Sequence, residues 1–112
     1  MSDPVLEAYR RIIDAFKAGR FESALSECQA LLVHHPDDAK VLFLGGAAAR
    51  QLGLTETWVE LFERTIALDP TQTDAHFDLG IGYRILGQRE KAEAAFEQVL
   101  ALNPNHAAAY YQ

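Results

Sequence analysis

Three prolines, Pro36, Pro70 and Pro104, stand 34 residues apart. Gly19, Gly53 and Gly87 keep the same interval, and so do Tyr9, Phe43, Phe77 and Tyr111. One period shared by several residue types means that a single structural unit recurs along the chain. Each unit of this size completes its core against its neighbours. At 112 residues the chain has room for three such units and little else.

Each unit reads as two helices. The first begins after a residue that can accept hydrogen bonds from the free N–H groups of a first turn: Asp3 before Pro4, Asp37 or Asp38 after Pro36, and Thr71 with Asp74 three residues on. It ends at Gly19, Gly53 or Gly87, the residue type that adopts the left-handed conformation closing a helix. The second starts two or three residues later and runs to His34, Leu68 or Leu102, where the following proline breaks it. No stretch of five or more residues alternates apolar and polar as a half-buried strand would. The expected fold is all-α and forms one domain over residues 1–112. Its units lie at about 5–38, 39–72 and 73–106, with the start of a further helix at 107–112.

Composition narrows function by exclusion. Hydrophobic residues make up 49% and charged residues 23%, as in ordinary soluble domains. Ten Lys and Arg against sixteen Asp and Glu leave a net charge of −6. Nucleic-acid binding draws most of its affinity from a basic face, so no nucleic-acid partner is expected. Cys28 is a lone cysteine, which implies no internal disulfide and no oxidising compartment. Met1-Ser2-Asp3-Pro4 lacks the basic and apolar regions of a secretory leader. No apolar run approaches the roughly 18 residues that span a bilayer. A cytoplasmic protein without a membrane partner is the expectation.

Several stretches invite a chemical reading. In Leu42-Phe43-Leu44-Gly45-Gly46-Ala47-Ala48-Ala49-Arg50 the small residues suggest a phosphate loop, but they fall mid-helix and no Lys-Ser/Thr follows. No cofactor is expected. His34 and His35 are adjacent, so on a helix they point about 100° apart and cannot grip one metal from one face. With His76 and His106 they read as exposed or packing residues, and no metal site is expected. Cys28 takes the slot of Phe62 and Phe96 in the other units and reads as a small buried hydrophobe. No spacing suggests a nucleophile with its base or a pair of catalytic carboxylates, so no enzyme is expected.

The third unit carries a family signature. His76-Phe77-Asp78-Leu79-Gly80-Ile81-Gly82-Tyr83 resembles W-x2-L-G-x2-Y with His in the Trp slot, and Ala92, Phe96 and Pro104 continue the pattern. His76 and Val99 depart from it. The second unit keeps Gly46, Phe62 and Pro70, and the first keeps Ala24 and Pro36. The chain thus resembles the tetratricopeptide repeat family from about residue 3 to 104. The resemblance implies an α-solenoid of three helix–turn–helix repeats in a right-handed superhelix, with a short C-terminal helical stub. It also implies a protein or peptide partner in a concave groove lined by the first helices. By register those helices present Leu6, Tyr9, Arg10, Ile13, Phe16 and Lys17, then Lys40, Phe43, Leu44, Ala47, Arg50 and Gln51. The third presents Asp74, Phe77, Asp78, Ile81, Arg84 and Ile85. Five of these side chains are basic and two acidic, against a chain of net charge −6.

Two readings of the aromatic positions stand side by side. They form an apolar, mildly basic groove, or they pack between adjacent first helices. Relatives that grip acidic C-terminal tails of heat-shock chaperones use a Lys/Asn/Arg clamp. The corresponding places here are Tyr9, Ile13, Leu44, Asp74 and Asp78, which suit a terminal carboxylate poorly. The alternative to a peptide-binding module is an assembly element: self-associating, the N-terminal part of a longer repeat protein, or a small secretion-chaperone-like protein. The stub is a poor polar cap for the last repeat. The expectation is that either the chain continues past Gln112 or two copies meet as a homodimer through this end.

The second unit also departs from the family in size. Trp58 occupies the slot held by Ala24 and Ala92, while Gly45 and Ala49 stand where the third unit has Leu79 and Tyr83. Because interiors conserve volume locally, the expectation is that the Trp58 indole lies over Gly45, Gly46 and Ala49.

Overall fold

A computed structural model describes residues 3–106 as six helices. These are α1 (Pro4–Lys17), α2 (Phe21–His34), α3 (Ala39–Gln51), α4 (Thr55–Leu68), α5 (Thr73–Ile85) and α6 (Arg89–Leu102). Each packs on the next, giving an elongated stack of 49 × 24 × 22 Å. The architecture is an all-α helical-repeat solenoid. The further helix expected over 107–112, and with it the dimer contact and the Tyr111 position, lies outside the described residues.

Local sequence accounts for the helix ends. The Asp3 carboxylate accepts from the Val5 N–H at 2.9 Å, and that of Asp38 from Val41 N–H at 3.2 Å. The third start differs from expectation. Thr71 does not cap α5: it lies one residue before the N-cap position, in a turn where its N–H and hydroxyl both donate to Asp69, at 3.1 and 2.6 Å. Gln72 is the residue before α5 and makes no side-chain cap. At the other ends, Gly19, Gly53 and Gly87 have φ of 75°, 72° and 76°. Around each, the residue after the glycine donates back across the turn: Arg20 to Ala15, Leu54 to Ala49 and Gln88 to Tyr83, at 2.8, 3.0 and 2.7 Å. This closes the helix on its last free carbonyls.

The core repeats a size exchange. A Cβ placed on Gly46 would sit 2.6 Å from the Phe62 ring, and one on Gly80 would sit 2.5 Å from the Phe96 ring. In the first repeat the same two slots hold Ile12 and Cys28, both fully buried. Large with small and small with large fill the same space. Burial pushes the Cys28 thiol up to about 12, as an apolar setting disfavours the thiolate.

Trp58 is buried as expected, with 2% of its surface exposed, but other side chains lie nearest to two of the three residues expected beneath it. The nearest side chains over Gly45 are Cys28 and Leu61, and over Gly46 Phe62. The outer ring of Trp58 instead lies over Gly82 of α5, where a Cβ would come within 2.6 Å of Cη2 and would also strike Val59. The exchange runs between repeats. In the equivalent slots one repeat earlier, Ala24 is matched with Ala48, and both are fully buried.

Candidate partner-binding groove

The first helices α1, α3 and α5 carry every expected groove residue. On α1, Arg10, Ile13 and Lys17 are exposed, while Tyr9 and Phe16 are half-buried. On α3, Lys40 and Arg50 are exposed and Phe43 is half-buried. On α5, Phe77 and Ile81 are half-buried, Arg84 is exposed and Asp78 is buried.

The aromatic positions each have one side inside the protein. Phe16 packs edge-on against Phe21 with centroids 5.2 Å apart. Phe43 meets Phe62 at 5.6 Å, and Phe77 meets Phe96 at 5.7 Å. These partners lie on the second helix of the same repeat. Tyr9 donates its hydroxyl to Asp38, the residue that also caps α3. That bond, with burial, pushes the Tyr9 phenol up to about 12. Phe77 stacks at 4.9 Å on His106.

Asp38 and His106 share one position of the 34-residue register, and Gln72 lies between them. Gln72 borders the same concavity as Phe43. The aromatic column at 9, 43 and 77 therefore lies against the column 29 positions further on: 9 with 38, 43 with 72 and 77 with 106. Ala39 and Gln72 line the groove although sequence reasoning left them out. The 29-residue offset between two periodic columns was the signal available for finding Gln72.

The concavity between α1 and α3 has a volume of about 460 Å³. Ile13, Ala39, Lys40, Phe43, Leu44 and Gln72 border it. Its floor is apolar and Lys40 adds a cation at the edge. Toward α5, Arg50 reaches Asp78 at 2.9 Å. Burial raises the Asp78 carboxyl above the usual range, while the Arg50 guanidinium pulls it back down.

A sequence description of the tetratricopeptide repeat matches residues 9–73, more than half of the chain, and a second matches residues 73–106. The chain belongs to the tetratricopeptide repeat family. Tetratricopeptide repeats are typically non-catalytic modules that bind other proteins. Among curated protein sequences none matches this tetratricopeptide chain.

Solved structures share the fold. One crystal structure of MamA has a TM-score of 0.89 at 24% identity, covering 95% of this chain and 58% of that one. A second has a TM-score of 0.88 at 22% identity, covering 96% and 63%. The first tetratricopeptide repeat domain of Spaghetti (RPAP3), solved bound to the HSP90 peptide SRMEEVD, has a TM-score of 0.83 at 22% identity and covers 95% and 84%. This chain thus spans about three fifths of the two MamA chains. At these identities the likeness establishes the fold alone. Among the described residues no helix is long and apolar enough to cross a membrane.

Proposed function

We infer that the chain binds a segment of a partner protein along the face formed by α1, α3 and α5. The observation that carries this reading is the concavity of about 460 Å³, with Phe43 and Leu44 in its floor and Ile13 left 38% exposed at its edge. Exposed apolar surface on one continuous face marks binding sites more often than chance placement does. Leu6 and Ile85, at 63% and 61% exposure, extend that face at either end. Phe43 and Phe77 support the groove from beneath, because their rings also rest on Phe62 and Phe96. A related fold holds an HSP90 peptide, so the scaffold accommodates a short segment of another protein. The clamp positions argue against the same mode of capture here.

The test is an unbiased displayed-peptide selection against the immobilised chain. Selected peptides are then titrated against Ile13→Asp, a change at an exposed position. Binding should fall at least about tenfold with an unchanged melting temperature, since the exchange removes the isoleucine's apolar surface from the groove edge and sets a charge beside the apolar floor. Peptides that bind Ile13→Asp undiminished would place the site elsewhere.

A further inference from the structure

Charge is distributed unevenly along this face. Toward α5, Asp78 is paired with Arg50, and Asp74 and Arg84 lie nearby in the register. Toward α1 stand Arg10, Lys17 and Lys40, all exposed. Among the described residues none of the three has an ion-pair partner. The Asp38 carboxylate also stands on this side, held by the Tyr9 hydroxyl and the Val41 N–H, so three cations face one carboxylate here, in a chain of net charge −6.

Lys40 borders the apolar part of the groove, and Arg10 and Lys17 share the helix face of Ile13 by register. Arg10 precedes Ile13 by three residues and Lys17 follows it by four, the spacings that put side chains on one face of a helix. Arg10 and Lys17 are ~10 Å apart along the α1 axis. That is about the span of three residues of extended chain. Lys40 sits across the concavity on α3, beside Phe43 and Leu44. The Tyr9 hydroxyl is already committed to Asp38, leaving recognition to the cations and the apolar floor.

We propose that this half of the groove takes an internal segment of a partner protein in which one bulky apolar side chain is flanked by Asp or Glu within two residues on either side. The proposal rests on the groove reading above and adds the chemistry of the ligand. The apolar side chain enters between Ile13, Phe43 and Leu44 and releases water from their surfaces. The carboxylates meet Arg10, Lys17 and Lys40. Single exposed ion pairs contribute little. Three cations of one sign around a small site nevertheless steer acidic segments in and exclude basic ones. No group here is dedicated to a chain terminus, so an internal segment serves.

The test uses short labelled peptides amidated at the C-terminus, with a central Leu flanked by Glu pairs, Ser pairs or Lys pairs. Anisotropy is measured with the full chain at two salt concentrations. The Glu-flanked peptide should bind about tenfold more tightly than the Ser-flanked one, and the Lys-flanked one more weakly than either. The Glu advantage should shrink as salt rises. Lys40→Glu should remove most of the Glu preference without lowering the melting temperature, since Lys40 is exposed. Replacing the central Leu by Ser should weaken binding about tenfold. Equal binding of the three peptides, no binding of the Glu-flanked one at about 1 mM, or a Glu preference that survives Lys40→Glu combined with Arg10→Glu would overturn the proposal. If library-selected peptides lose affinity for Ile13→Asp yet carry no acidic flanks, this ligand chemistry is wrong while the groove reading stands. If they bind Ile13→Asp undiminished, both fall.

Discussion

Gly82→Ala is the change that most directly probes how the second and third repeats lock together. Its methyl group would meet the Trp58 outer ring at 2.6–2.7 Å and press on Val59. The indole is rigid and buried, so the neighbours have little room to give. Overpacking of this kind costs about 1–3 kcal/mol. Exchanging glycine for alanine in a helix interior returns roughly 1 kcal/mol of helix propensity. The net expected loss is about 0–2 kcal/mol in the parent chain. Trp58→Leu removes the ring that opposes the methyl group and gives Val59 space to shift. In that background Gly82→Ala should be neutral or should stabilise by up to about 1 kcal/mol. The coupling between the two sites is then roughly 1–3 kcal/mol. Trp58→Ala on its own removes more and should cost about 3–5 kcal/mol. That corresponds to roughly 15–25 °C in melting temperature for a domain of this size. The assay is urea unfolding of the four chains of the Trp58→Leu/Gly82→Ala cycle, followed by far-ultraviolet circular dichroism, because Trp58 is itself the fluorophore. If Gly82→Ala costs the same in both backgrounds to within about 0.5 kcal/mol, the two sites do not oppose each other and the size exchange between repeats is wrong.

Two further outcomes follow from the same structure. Gly46→Ala should destabilise by up to about 2 kcal/mol, because its Cβ would strike the Phe62 ring and the gain in helix propensity offsets only part of that cost. Gly45→Ala should be near neutral, because its Cβ would meet Cys28 at 3.3 Å and Leu61 at 3.4 Å and gains helix propensity; equal losses at the two sites in thermal unfolding would refute this packing. Arg50→Ala leaves the buried Asp78 carboxylate without its cation, and the loss should be about 1–3 kcal/mol near neutral pH. Asp78 has a folded pKa above its unfolded value, so its contribution to stability is full below the unfolded pKa and is lost as pH rises through the folded one. Removing Arg50 raises the folded value further and deepens that loss. The variant should therefore sit closer to the parent at about pH 4 than at pH 7, and a pH-independent difference in unfolding free energy would sink the assignment.

The parts of the protein legible in the sequence are those set within a few residues. Asp3 and Asp38 cap their helices, and the three period-related glycines close theirs, because caps and C-terminal turns depend on neighbours three to five positions away. Thr71 shows the limit even at that range. The turn it makes with Asp69 two residues earlier sets the start of α5 one residue later than Thr71, at Gln72. The position of each residue within its repeat was legible for the same reason, since a 34-residue period assigns each residue a place on its helix. The depth of each column was not. Phe43 and Phe77 look like open groove residues in register, yet each rests on a phenylalanine of the second helix.

By itself, then, the sequence determined the repeat unit, its helices and most of their ends, and which residues share a face, all of which follow from spacing along the chain. Which neighbour each core residue meets was decided only in three dimensions. A second helix lies between the first helix of its own repeat and that of the next, and periodicity is the same toward both. Phe62 turns back onto Gly46 while Trp58, one turn earlier, reaches forward onto Gly82. The choice belongs to how one repeat is rotated on the next. That rotation comes from fitting whole faces together at close-packed density, which no single residue spacing encodes.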